Sequence, residues 1–341
     1  MLRHTQAGRI AMTRVTLLVL IVFGQFRLSQ AELPEGTKRV DFFGYEDCVA
    51  LENDVARVVL CHQAGGRVLE YSLNGENVIY LNPNDAGASG TNGSGMTGGR
   101  FDIGPEHIIP RRNILWAGPW EAEITGPYSA RLTSQFDPET GVRLTRDFTL
   151  SPDSTELEVV QTIHNESDEQ KPWCHWSRTF AVGRGIVLLP LEGISKYPNS
   201  YVMGEGRGLL HFRPEEPTIT IRESYLEITG PPQFAKLGMD STAGWFTYLS
   251  PNNLLFTKRF RVDPDDVYNE VAGLTTSIWY PDNEMVELEP IGPRQLTSPG
   301  ESASYTEVWY LDEMDFVKPG EQVDIQQVEE RVRAHGIEIA P

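Results

Sequence analysis

From Val40 to Leu311 the chain is a succession of short segments rich in β-branched and aromatic residues, each closed by turn chemistry. Alternation of apolar and polar residues in LEVVQTI and VRLTRDFTL has the period of a half-buried strand. The breaks between segments are Asn74-Gly75, Asp137-Pro138-Glu139-Thr140-Gly141, Ser151-Pro152-Asp153 and Ser250-Pro251-Asn252-Asn253. Helical periodicity enters only at the end. Pro319-Gly320 introduces a segment in which Val323, Ile325, Val328 and Val332 share one helical face, with Gly336 as its stop. Roughly fourteen strands with no helices between them exclude a βαβ fold and predict an all-β protein, a large antiparallel sandwich or barrel. No repeat and no Pro/Ser-rich linker follows residue 40, so residues 32–341 read as a single domain with a short helix at about 320–335.

Residues 1–31 read as an address. Arg3, Arg9 and Arg14 precede the apolar run Val15–Gly24, and small residues Ser29 and Ala31 follow it. The run is about half the twenty residues that span a bilayer. These features predict a signal peptide cleaved after Ala31, from a start at Met1 or Met12, and an exported protein, periplasmic or extracellular. No membrane attachment is expected after cleavage.

Charge narrows the partners. Against 29 Lys and Arg stand 48 Asp and Glu, a formal charge of −19, which repels phosphate backbones and excludes nucleic acid as a partner. Cys48, Cys61 and Cys174 are too few for a disulfide framework or a CxxC motif. Cys48 and Cys61, on successive segments, fit either a bridge or two buried thiols. Gly93-Ser-Gly95-Met-Thr-Gly98 matches G-x-G-x-x-G, but Gly-Gly-Arg-Phe follows where a dinucleotide site needs a helix. The seven His have no metal-ligand spacing, so neither a cofactor nor a metal is expected.

The least regular stretch is Asn82–Arg112, Gly-rich at first and then crowded with Arg100, Asp102, Glu106, His107, Arg111 and Arg112 beside Trp116 and Trp120. A long loop of this kind is a place to look for function.

Two stretches resemble the galactose mutarotase-like (aldose 1-epimerase-like) superfamily. Leu157–Phe180, LEVVQTIHNESDEQKPWCHWSRTF, resembles its central pattern of strand, turn and His-bearing strand. Met285–Leu311, MVELEPIGPRQLTSPGESASYTEVWYL, resembles its C-terminal pattern of Glu-bearing strand, Pro-Gly turn and closing strand. GGRFDIGPE, GWFTYL and EVWYL are most similar to a bacterial branch catalogued as a domain of unknown function. The resemblance implies a β-supersandwich with a sugar on its concave face. In such enzymes a Glu removes the anomeric proton while a His protonates the ring oxygen, and by position these would be Glu289 and His175.

Glu287 and Glu289, two apart on a strand, share a face and make Glu287 a further catalytic candidate. Candidate substrate contacts are Arg100, Glu106, His107, Arg111, Arg112, Trp116, Trp176, Lys236 and Glu307. Mutarotases carry a second His before a Gly-Gly, where this chain has Thr97 before Gly98-Gly99. The loop arginines point instead to an anionic group, as on uronic or sulfated sugars, held bidentately. The expected function is sugar or oligosaccharide binding, with acid/base ring opening or epimerisation at the anomeric carbon. The rivals are a non-catalytic carbohydrate-binding module and a polysaccharide lyase or hydrolase on a related sandwich. Hydrolysis would need two carboxyls at a defined separation.

Overall fold

The computed structural model describes Met1 and residues 33–89, 95–206, 208–318 and 320–340. The segment read as a signal peptide lies outside these, apart from Met1. Residues 33–341 form one compact unit. No helix among the described residues is long and apolar enough to cross a membrane.

The strands in chain order are β1 (Thr37–Phe42), β2 (Tyr45–Glu52), β3 (Ala56–Cys61), β4 (Arg67–Leu73), β5 (Glu76–Asn77), β6 (Gly99–Gly104), β7 (Glu121–Gly126), β8 (Ser129–Thr133), β9 (Val142–Leu150), β10 (Leu157–Asn165) and β11 (Cys174–Val182). They continue with β12 (Ile186–Pro190), β13 (Val202–Gly206), β14 (Leu209–His211), β15 (Ile219–Arg222), β16 (Tyr225–Ile228), β17 (Lys236–Met239), β18 (Trp245–Ser250), β19 (Leu254–Phe260), β20 (Thr276–Trp279), β21 (Met285–Arg294) and β22 (Ser302–Glu313). A five-residue helix α1 (Asn113–Ala117) follows β6, and α2 (Ile325–Ala334) closes the chain.

Among the described residues all strand pairing is antiparallel, in two sheets. Sheet A has twelve strands, ordered β1-β2-β3-β4-β6-β11-β21-β20-β17-β13-β14, with β5 beside β4. Sheet B has ten, ordered β15-β16-β12-β18-β19-β22-β10-β9-β8-β7. The expected two-sheet, all-β architecture is present, with more and shorter strands than the alternation alone resolves.

Apolar side chains between the sheets make the core. Tyr71 of sheet A meets Phe256 and Trp309 of sheet B, with ring centroids 5.7 and 5.9 Å away. Burying a side chain of this size contributes roughly 1.5–3 kcal/mol. A polar island lies in the same interlayer. Lys258 Nζ, fully buried, is 3.0 Å from Glu307 Oε2 and donates to Ser177 and Thr179 of β11. Helix α2 lays Val328 and Val332 on the far side of sheet B, against Trp245, Leu255 and Tyr310. Its start falls at Ile325, later than the Pro319-Gly320 signal, because the Asp324 side chain caps it by accepting from the Gln327 N–H at 3.2 Å.

Cys48 and Cys61 face each other across β2 and β3 as two fully buried free thiols, and Cys174 is buried and free as well. Gly93 and Ser94 of the G-x-G-x-x-G match lie outside the described residues; Gly98 takes φ +77° and leads into strand β6 rather than the helix a dinucleotide site needs. Six residues of the stretch expected to be irregular, Gly99–Gly104, are therefore a central strand of sheet A.

Candidate functional site

Period-two alternation on three adjacent strands builds the site. In β6, Phe101 and Ile103 turn into the core while Arg100 and Asp102 turn outward. In β11 the core side takes His175, Ser177 and Thr179, and the outer side takes Trp176, Arg178 and Phe180. In β21 Leu288 goes inward, and Glu287 and Glu289 go outward beside Phe180 and Arg178. The outer face of sheet A thus gathers charged groups where a strand buried on both sides would be apolar.

Arg178 stands at the centre, only 7% exposed. Its Nε is 3.1 Å from Asp102 Oδ2 and its Nη2 is 3.2 Å from Glu106 Oε1. Its Nη1 lies 3.7 Å from Glu287 and 3.9 Å from Glu289. The guanidinium lies 4.4 Å from the Trp176 ring centroid and 5.6 Å from that of Trp116. Surrounding carboxylates hold Arg178 protonated against the cost of burial. Even so, Nε and Nη2 are buried without a well-aligned hydrogen-bond acceptor among the described residues, and Glu287 Oε1 is buried there without a hydrogen-bond partner. Such donors are costly unless something completes them.

The carboxyls are differentiated by their neighbours. Burial, and then the charge of Glu289, push Glu287 well above the usual carboxylate range, so it holds a proton. Burial works against ionising Glu289 too, but Lys236, the shared proton of Glu287 and Arg178 bring it down to about 2. Lys236 Nζ reaches both oxygens of Glu289, at 2.7 and 2.6 Å, and Trp176 Nε1 donates to it at 3.1 Å. Asp102 is ionised despite burial because Arg112 grips it bidentately, both contacts 2.5 Å, with Arg178 on its other side.

Two hollows open on this face and share Glu106, Trp116 and Arg178. One, of 320 Å³, is walled by Phe180, Trp279 and Trp116, with Glu287 and Lys236 at its base. The other, of 240 Å³, adds Asp102, Arg111, Arg112 and Asn113. The first alone falls in the size range of small-ligand sites. Larger hollows of 650 and 700 Å³ lie elsewhere, but no buried charged residue lines either one. Chemistry, not size, selects the outer face of sheet A.

The candidates read from the sequence divide. Glu106, Arg111, Arg112, Trp116, Lys236 and Glu287 line the two hollows. Glu289 sits one layer below, fully buried under Lys236. Trp176 is buried as well, its ring lying beneath Arg178 and Lys236, so it is a floor rather than a stacking surface. His107 is exposed at the rim, 3.9 Å from Glu270. Arg100 is fully buried; it donates to the carbonyls of Gly95 and Trp116, holding the loop and not a ligand.

Two candidates lie on the wrong side of the sheet. His175 is between the layers, 1% exposed, stacked between Phe101 and Tyr305 with both centroids 5.6 Å away. Its Nε2 lies 3.0 Å from the Ala303 carbonyl, and burial lowers its pKa to about 4. The expected imidazole opposite Glu289 is therefore absent: odd and even positions of one strand cannot both face the cleft. Glu307 is also interlayer, bonded to Gln161, Trp309 and Lys258. Thr97, where mutarotases have their second His, is buried against Asp85 at 2.6 Å.

Sequence reading missed Arg178, Phe180, Trp279 and Asn113. The signal for Arg178 was available, since it stands two residues from Trp176 and shares its face.

Neither a family model nor a curated protein matches the chain. Solved structures do. A candidate aldose 1-epimerase from Escherichia coli K12 superposes with a TM-score of 0.56 at 12% identity, over 78% of this chain and 98% of that one. A galactose mutarotase-like protein from Lactobacillus casei gives 0.54 at 12% identity, over 78% and 100%. One from Clostridium acetobutylicum gives 0.51 at 11%, over 82% and 99%. The chain has a galactose mutarotase-like fold.

Proposed function

We propose that the cleft on the outer face of sheet A binds a sugar that carries an acidic group, as a free monosaccharide or as part of an oligosaccharide. The observation that carries this reading is the pair of hollows joined at Glu106, Trp116 and Arg178. The 320 Å³ hollow offers what a pyranose needs: the aromatic surfaces of Trp116 and Trp279, with polar groups converging at the base. In the adjoining hollow Arg111 is exposed and has no carboxylate partner among the described residues, whereas Arg112 is paired with Asp102. A carboxylate or sulfate beside Arg111 would also lie near the Arg178 guanidinium, which lines both hollows. Fold neighbours described as mutarotase-like agree with a sugar as the class of ligand. The exported location rests on residues 1–31 of the sequence alone.

Calorimetry with matched sugars tests the reading. D-glucuronate should bind at least tenfold more tightly than D-glucose, and Arg111→Ala should erase most of that preference. Equal affinity for the two sugars, or an unchanged preference in Arg111→Ala, would remove the acidic group from the proposal.

A further inference from the structure

We infer that the proton-transfer pair of this cleft is Glu287 with Glu106, acting across the Arg178 guanidinium, and not the Glu289–His175 pair that the sequence suggests. This rests on the sugar-binding reading above and assigns its catalytic residues.

Both carboxyls line the 320 Å³ hollow, which neither Glu289 nor His175 reaches. They occupy opposite ends of one guanidinium, with Glu106 3.2 Å from Nη2 and Glu287 3.7 Å from Nη1. A ring seated over Arg178 would therefore meet one carboxyl at each edge.

Their surroundings suit opposite roles. Glu106 is exposed at the rim on the turn after β6, its backbone N–H fixed by Glu270 Oε2 at 2.8 Å. Glu287 is 2% exposed and faces Glu289, Arg178 and Lys236, with Asp102 and Glu106 beyond the guanidinium. There burial and the neighbouring Glu289 charge raise its hold on a proton well above that of an ordinary carboxyl. Divergent environments around two carboxyls are what acid–base chemistry requires. Glu289 has a different task. Its charge, clamped by Lys236, keeps the proton on Glu287, which makes it a positioning residue.

The step balances without a cofactor. Glu106 accepts the anomeric hydroxyl proton, and the O1–H electron pair forms the C1=O1 double bond. The C1–O5 bond breaks with its pair going to O5, which takes the proton of Glu287. Rotation about C1–C2 and the reverse transfers return both protons and close the ring on the other face.

Glu287→Gln preserves the shape and neutrality of the protonated acid, so it removes the proton without stranding a charge. Glu106→Gln lies on the surface, and its folding is not at issue. The experiment measures D-glucuronate binding by calorimetry and α/β interconversion by magnetisation-exchange NMR on both variants and the wild type. Affinities should stay within about threefold of wild type while each variant loses about a hundredfold or more in rate. Wild-type rates in either variant, or a wild type that binds glucuronate without speeding interconversion, would overturn the assignment while leaving sugar binding intact. Absence of glucuronate binding in the wild type would instead overturn the binding reading, and this pair with it.

Discussion

His175 shows how little a residue's type says about its task until its face is known. Held neutral between Phe101 and Tyr305, it titrates near 4 in the folded protein against 6.5 when unfolded. The folded pKa is depressed, so between those values the unfolded chain binds the proton and the native state does not. Stability is therefore unaffected above pH 6.5 and falls as pH drops towards 4, by about 3 kcal/mol. Replacing His175 by Leu removes that penalty along with the contact to the Ala303 carbonyl. Urea unfolding should show wild type ahead at pH 7 and the difference shrinking by about 3 kcal/mol at pH 4. A pH-independent difference would mean that the imidazole is solvated in the native state. Arg178 makes the complementary point: its place two residues from Trp176 put it on the same face of β11, but no motif marks a guanidinium encircled by four carboxyls.

At the scale of elements, the legible parts were those with one wet face. β9 and β10 alternate because sheet B buries only one of their sides there, and helix α2 shows its apolar stripe for the same reason. Strand β6 was hidden because it is buried on both faces, with Arg100 and Asp102 in place of apolar residues, and because glycines flank it. Helix α1, five residues long, is too short to leave a period. In β11 the WCHWSRTF segment is legible as a strand; what the resemblance could not supply was which of its faces looked into the cleft. Between the sheets, Glu307 balances Lys258, with Arg146 also buried nearby. Glu307→Gln would leave those cations unneutralised, and chemical denaturation should register a loss of about 3–5 kcal/mol. A loss below about 1 kcal/mol would show that Lys258 gives up its proton at little cost.

For the molecule as a whole, the fold supplies a broad sheet whose outer face is free to carry charge. Overall charge is −19, yet the cleft concentrates Arg111, Arg112, Arg178 and Lys236 at one place. Acidic ligands would be repelled at long range and captured only on contact, so affinity would come from geometry rather than steering. The most direct test is diffraction from crystals grown in saturating D-glucuronate. The account predicts density for one sugar over Arg178, its ring against Trp116 and Trp279 and its carboxylate at Arg111. Density for the sugar only in the hollow beside Trp245 and Arg259, or an empty cleft at saturation, would contradict it.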